Sequence, residues 1–299
     1  TVEASSIRFL VDGKPLKPIV NQTDTVTTVE AQAPLFKANT VHTNTMVFAD
    51  SAGATFTHSW SYTVANYPTI PPEYSIASVD PSKRGFKARV HQMDINRNPG
   101  TGVAPNAERQ LAGGYVDPAT GQPYPNSADP AGADANGYYT EADVINWNQD
   151  GPGTGAGHFV DDHAVPGIGP NNANTTDRFV VSIETILQLK AGPYRFGVNS
   201  DDGFRLSAGR DPGDVTGLQL GSAGDRIATD TYCDFVVVSD GFYPFRLMWW
   251  ETDNGASCEF FVIDLATGLR TLIKDDKGKT PILAFRASPA RRPHLSKAL

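Results

Sequence analysis

Apolar and polar residues alternate with a period of two through most of this chain, in short runs bounded by Gly, Pro, Asn and Asp. Apolar residues at helical spacing are nearly absent. The pattern predicts an all-β protein with little helix. Residues 1–67 are rich in Val and Thr and break into about five such runs, among them SIRFLVDG at 6–13, HTNTMVFAD at 42–50 and ATFTHSWSYTVA at 54–65. These are expected to form a β-sandwich with Trp60 as core anchor. Phe56, His58, Trp60, Tyr62 and Val64 share one face of the last run, which makes His58 a packed or edge histidine rather than a ligand. A sandwich of this kind takes about 90 to 100 residues, so an open sheet edge is expected, completed by a strand upstream or from another chain.

Residues 68–84 contain four prolines and little periodicity, which predicts a semi-rigid linker. A second unit is set at 85–285. Its 97–176 stretch is dominated by loops, with a short helix expected over 105–111, and from 177 onward the strand runs become continuous. Residues 286–299 form a basic, Pro-containing tail expected at the surface.

Within the second unit, residues 194–209 read YRFGVNSDDGFRLSAG. Tyr194, Phe196 and Val198 alternate before the turn, and Phe204 and Leu206 after it, as in a hairpin packed on one face. Asp201 and Asp202 therefore stand at a sheet end, where oxygen ligands can converge on a cation or a polyol. The same Asp-Asp-Gly is also an ordinary tight turn, in which the carboxylates bond nearby N–H groups and Gly203 supplies the turn backbone.

The formal charge of -8, without a block of Lys or Arg, disfavours nucleic acid and anionic membranes as partners. No segment reaches the roughly 18 apolar residues of a membrane span. Cys233 and Cys258 lie in strand-like runs flanking a third, so a disulfide and two buried free thiols are both open; an oxidised pair would suit an exported protein.

Residues 1–67 resemble the immunoglobulin-like and fibronectin-like spacer modules of bacterial surface and polysaccharide-degrading proteins, on their strand spacing and their VDG and FADSAG turns. The hairpin at 194–209, followed by FVVVSDGFYPFRLMWWETDNGASCEFFVID at 235–264 and preceded by INWNQDGPGTGAGHF at 145–159, resembles the PA-fourteen family, the β-barrel domain first named from protective antigen. The resemblance spans roughly residues 85–275 and implies a rigid β-sandwich or barrel that binds rather than catalyses. Lectin members hold Ca²⁺ on two adjacent aspartates joined by a cis peptide, and the ion coordinates vicinal sugar hydroxyls. Here the matching positions are Asp201 and Asp202, with Asp253 and Asn254 as candidates from a second loop and Glu251 as the weaker one. Gly203 and Phe204 directly after the pair match a version common among non-lectin members.

Trp147 is the more open of the aromatic residues that could offer a ring to a sugar face, with Tyr138 and Tyr139 beside it in the loops. Of Trp249 and Trp250, one is expected inward and the other outward. His158, Asp161, Asp162 and His163 gather metal-capable groups in a spacing that fits no standard motif and equally suits a solvated loop. No nucleophile elbow or reactive-cysteine context is present. The expectation is a non-enzymatic, calcium-dependent carbohydrate-binding or adhesion module, secreted or on a bacterial cell surface, with a glycan or polysaccharide as partner. The alternative is a structural subunit of an extracellular fibre, sheath or surface layer that assembles with copies of itself by strand addition.

Overall fold

The computed structural model describes residues 1–31, 33–34, 36–93, 102–169, 176–278 and 281–287. It divides into two compact units: Thr1–Tyr67 with Asp264–Leu269, and Pro68–Ile263 with the described residues from Arg270 on. Most of the tail, 288–299, lies outside the described residues.

The first unit holds β1 (Arg8–Val11), β2 (Lys14–Leu16), β3 (Pro18–Gln22), β4 (Thr27–Ala31), β5 (Val41–Ala49) and β6 (Thr55–Thr63). Four of them form a sheet in the order β2-β1-β5-β6, and β3 pairs with β4 alone. Asp12 and Gly13, both at positive φ (49° and 75°), make the tight β1–β2 turn that an Asp-Gly pair favours. The unit buries little: Ile7, Val11 and Val64 are buried, whereas Trp60 is 38% exposed and Phe56 46%. Trp60 is therefore not a core anchor. It packs against Phe9 at 5.9 Å between ring centroids, but it sits on an edge strand that is exposed along nearly its whole length.

The second unit holds β7 (Thr69–Ile70), β8 (Phe86–Gln92), α1 (Ala104–Leu111), β9 (Tyr138–Glu141), β10 (Asn146–Asn148), β11 (His163–Ala164) and β12 (Phe179–Leu189). It continues with β13 (Gly192–Asp201), β14 (Phe204–Ala208), β15 (Leu218–Ala223), β16 (Thr229–Val237), β17 (Gly241–Trp250), β18 (Ser257–Ile263), β19 (Arg270–Leu272) and β20 (Leu283–Phe285). One sheet runs β11-β10-β18-β13-β16-β7 with β19 on β18; the other runs β15-β14-β17-β12-β8-β9 with β20 on β12. The chain is thus nearly all β, as its alternation predicts.

The two sheets of this unit bury their facing sides against each other. Phe196 and Phe235 from the first meet Phe245 from the second at 5.8 and 6.0 Å, and Trp147 meets Trp249 at 6.4 Å. Truncating one such buried aromatic costs about 3–5 kcal/mol in comparable cores. Trp249 faces this core, while its neighbour Trp250 faces outward under α1 with Ala107, Leu111, Val180 and Met248. Strand alternation explains the split, and the helix explains why the outward indole is still buried.

Residues 68–84 are built into this unit. Thr69 and Ile70 pair with Val236 and Val237 on the β16 edge, Ile70 is fully buried, and Ile76 and Arg84 form bridges to Phe242 and Phe285. Pairing of Ile70 satisfies edge N–H and C=O groups that a free linker would leave to water.

Candidate functional site

The β13–β14 turn, the β15–β16 connection and the loop after β17 meet at one end of the sandwich. β13 delivers Asp201 as its last residue, and the peptide to Asp202 is cis. Gly203 completes the turn beneath Trp250: a Cβ there would lie 2.3 Å from the indole Cζ2 and 2.7 Å from the Ala223 carbonyl oxygen, so only glycine fits. The Trp249 indole N–H donates to the Asp201 carbonyl at 3.0 Å, and the Ser200 hydroxyl donates to the Asp202 carbonyl at 2.8 Å. Core packing thereby fixes the backbone that presents both carboxylates.

Asp202 is buried, and its two oxygens accept the amides of Arg226 (3.0 Å) and Thr252 (2.9 Å), one from each neighbouring loop. Glu251, held at the end of β17 by its amide bond to the Phe179 carbonyl (3.0 Å), is fully buried. Carboxylate oxygens of Asp201, Asp202 and Glu251 all lie within 4.8 Å of one another, the one such group of metal-capable acids, histidines and cysteines among the described residues. Asp225 adds a fourth acid nearby, accepting from the Trp250 indole (2.9 Å) and the Thr252 hydroxyl (3.2 Å).

The electrostatics follow from this crowding. Burial, then the Asp202 charge, raises Asp201; burial raises Asp202, and the Asp225 charge adds to it. Burial pushes Glu251 up to about 10, helped by Asp202, Asp201 and Asp177. Arg226 directs its guanidinium to the Ser200 carbonyl and hydroxyl and to the Thr231 hydroxyl rather than into the acidic group. Such a collection of hard oxygen donors, negatively charged and converging, fits Ca²⁺ better than a thiolate- or imidazole-seeking metal.

Asp253 and Asn254 lie on the exposed loop beside this group. The Asp253 carboxylate accepts from Arg178 (3.3 Å) and from the Asn254 amide (2.7 Å), and Asn254 has a positive φ of 80°. A Cβ on the next residue, Gly255, would stand 3.7 Å from Asp201 Oδ2, so the loop abuts the Asp201 carboxylate. Sequence reasoning ranked Glu251 below both of these, and it missed Asp225 and Arg226. The WWET run gives Glu251 the look of a solvated strand end, and nothing in the sequence joins 225–226 to a turn more than twenty residues upstream.

The other candidates from the sequence fall as follows. Trp147 is 1% exposed; its ring packs on Trp249 and its N–H donates to Glu141 (3.2 Å), so it offers no face to a sugar. β10 lies between β11 and β18, inside the sheet rather than in an open loop. Cys233 and Cys258 are buried free thiols. Both flank β13, but Cys233 is opposite Phe196 and Cys258 opposite Ser200. Two strand spacings of about 4.8 Å each already exceed the roughly 7 Å a disulfide spans between Cα atoms. The HFVDDH run does not converge: His158 Nε2 bonds Asp230 at 2.8 Å, His163 approaches Glu141 at 3.8 Å, and Asp162 turns inward to Asn148 (3.0 Å). Tyr139 is buried and donates to the Asp129 carbonyl.

No family model matches the chain, and no curated protein matches its sequence. Among solved structures it is similar to a PA14 sugar-binding domain from an RTX adhesin, 15% identical, covering 64% of this chain and 95% of that one at a TM-score of 0.41. It is also similar to the PA14 domain of the antifreeze protein MpAFP, 11% identical, covering 71% and 97% at 0.40. A third is a subtype-switched epithelial adhesin 9 to 1 A domain from Candida glabrata in complex with β-lactose, 15% identical, covering 74% and 95% at 0.42. At these identities and TM-scores the likeness assigns no ligand to this chain.

Proposed function

We propose that this chain is a non-catalytic, extracellular or cell-surface module that binds carbohydrate through Ca²⁺ held at the Asp201–Asp202 turn. The observation that carries the reading is the convergence of Asp201, Asp202 and Glu251 within 4.8 Å at one end of the sandwich. The Asp202 charge raises the proton affinity of Asp201, both raise that of Glu251, and a divalent cation relieves the repulsion that protons otherwise relieve. Asp201, Asp202 and Glu251 would hold the ion, with oxygens of Asp253 and Asn254 approaching from the loop. When bound, it supplies coordination positions that vicinal hydroxyls can fill. The chain's own part is to keep the donors apart at ion-binding distance, through the Trp249 and Ser200 bonds to the turn and the Arg226 and Thr252 amides on Asp202.

The site is half open. Asp202 and Glu251 are buried, whereas Asp253 and Asn254 on the rim are exposed, which suits a ligand that enters from solvent. Calcium titration by calorimetry with a glycan array tests the reading: a sugar signal is expected that chelator abolishes and Asp202→Ala removes, with Ca²⁺ affinity reduced at least tenfold. Glycan binding that survives chelation overturns the role of the ion, and a Ca²⁺ site without any glycan signal overturns the role of the sugar.

One observation favours a second reading, assembly of a fibre, sheath or surface layer by strand addition. β6 pairs with β5 over nine residues, Val41↔Thr63 to Ala49↔Thr55, has no strand on its other side among the described residues, and is exposed along nearly its whole length. Electron microscopy of concentrated protein decides it: ordered polymers support assembly, and persistent monomers count against it.

A further inference from the structure

A second group of oxygens lies on the outer face of the sheet that carries β13, starting two residues before Asp201. Glu259 on β18 is opposite Asn146 on β10 and opposite Asn199 on β13, so the three side chains stand in one row across adjacent strands. The 151–162 loop covers the row. His158 and Phe159 donate their amides to Glu259 Oε1 at 2.7 and 2.8 Å, and a Cβ on Gly157 would lie 2.4 Å from Glu259 Oε2. Asp162 enters from the same loop, accepting from the Asn148 side chain (3.0 Å) and the Ala156 amide (2.9 Å), and its charge acts on Glu259.

Four oxygens here have no donor from the protein: Asn146 Oδ1, Asp162 Oδ1, Asn199 Oδ1 and Glu259 Oε2. Their residues are 2%, 2%, 6% and 1% exposed, so water does not reach them from the surface. Rotating the amides does not help. Asn146 Nδ2 already donates to the Val160 carbonyl (3.3 Å) and Asn199 Nδ2 to Asp230 (2.7 Å), and reversing either would set oxygen against oxygen. A single buried water offers two donors against the four waiting acceptors, and it brings no charge to set against the two acids. A cation seated among them would supply the positive charge and the coordination that these oxygens lack.

We propose that Asp162 and Glu259, with the amide oxygens of Asn146 and Asn199, form a closed site for a hard divalent cation of the Ca²⁺ class that fastens the 151–162 loop to the sheet. Two carboxylates and two carboxamide oxygens are donors of the kind such ions take, and the charge of two acids matches the ion. The site is independent of the carbohydrate reading, because none of its residues belongs to the Asp201–Asp202 group.

The test separates the two sites. Full-length protein carrying Asp202→Asn is stripped of metal and titrated with Ca²⁺ alone, and with Tb³⁺ as a luminescent substitute excited through nearby tryptophan. One equivalent is expected to bind, with Tb³⁺ emission that Ca²⁺ competes away. Adding Asp162→Asn or Glu259→Gln should weaken it at least tenfold. In the unsubstituted chain, Ca²⁺ should slow hydrogen exchange at the amides of Ala156, His158 and Phe159, a readout that needs no variant to fold. No bound equivalent in the Asp202→Asn chain, an equivalent that Asp162→Asn leaves untouched, or unchanged exchange at those amides each overturns the proposal.

Discussion

β13 places Asn199 and Asp201 two residues apart on the same face, and the oxygen clusters they join differ in what covers them. At Asp201 the neighbouring loop ends in exposed Asp253 and Asn254, so one side of the acidic group faces solvent. At Asn199 the backbone of Gly157 passes directly over Glu259, and the donor atoms are sealed. One strand thus feeds a site suited to an exchanging ligand and a site suited to a resident one. The difference arises from the loops, since the strand supplies equivalent positions to both.

The largest effect that would break this comparison is expected at Glu251. Its folded pKa of about 10 stands far above the ordinary value of 4.5. Below the unfolded value the carboxyl is protonated in both states and contributes no pH dependence. As pH rises beyond it, the unfolded chain loses its proton first, the folded chain binds more protons, and stability falls until the folded group also ionises near pH 10. Metal-free protein should therefore lose on the order of 3 kcal/mol between pH 5 and pH 7.5 through this group. Glu251→Gln should remove most of that slope and raise the metal-free Tm at pH 7.5, while Ca²⁺ should stabilise the parent far more than the variant. Thermal unfolding against pH, with and without chelator, measures both. A metal-free slope that is the same in parent and variant would show that Glu251 is not held protonated by its neighbours.

A middle-sized effect comes from the paired glycines. Gly157→Ala forces a Cβ to within 2.4 Å of a carboxylate pinned by two amides, at a φ of +79° that disfavours any side chain. Gly203→Ala forces one to 2.3 Å from a buried indole. Each should cost about 1–3 kcal/mol, read as a shift of several degrees in Tm. Function separates them: Gly203→Ala should lower glycan affinity at least tenfold, and Gly157→Ala should release the loop to exchange while glycan affinity stays within twofold. Equal loss of glycan binding in both variants would make the two sites one coupled unit.

Much of this layout is readable from sequence where one face of a strand meets the core. The hairpin at 194–209, the short helix and the opposite placement of Trp249 and Trp250 all follow from local periodicity and turn residues. The readings fail where a second layer covers the outer face. Asp162 reads as part of a solvated loop, yet it is 2% exposed, and Asn146 and Glu259 beside it on the outer face are as deeply buried; Trp147, read as open, instead faces the core against Trp249. Period two reports which side of the sheet a residue faces and cannot report that a distant loop has closed over it. Glu251 is hidden by the same limit, since the Asp202, Asp201 and Asp177 charges that join burial in raising it come from distant parts of the chain. In residues 1–67 the error runs the other way: the Phe56, Trp60 and Tyr62 stripe has the periodicity of a buried face, but it lies on an edge strand with little packed over it.

The smallest effect sharpens the open side of the comparison. Arg178 reaches the Asp253 carboxylate at 3.3 Å, and its backbone carbonyl is held separately by the Met93 amide (3.0 Å) and the Gln110 side chain (2.8 Å). Arg178→Met therefore removes a charge from the rim without freeing the backbone beneath it. Because Asp253 is 53% exposed, the ion pair itself contributes at most about 1 kcal/mol, and Tm should move by only a few degrees. Its consequence for binding is separate. With Arg178 gone, Asp253 loses one of the contacts that hold its loop beside the Asp201 carboxylate, and glycan affinity should fall three- to tenfold with the Ca²⁺ stoichiometry unchanged. Calorimetry on the same glycan measures it. An affinity within twofold of the parent would remove the 252–255 loop from the binding surface and leave recognition to the buried acids and the turn that carries them.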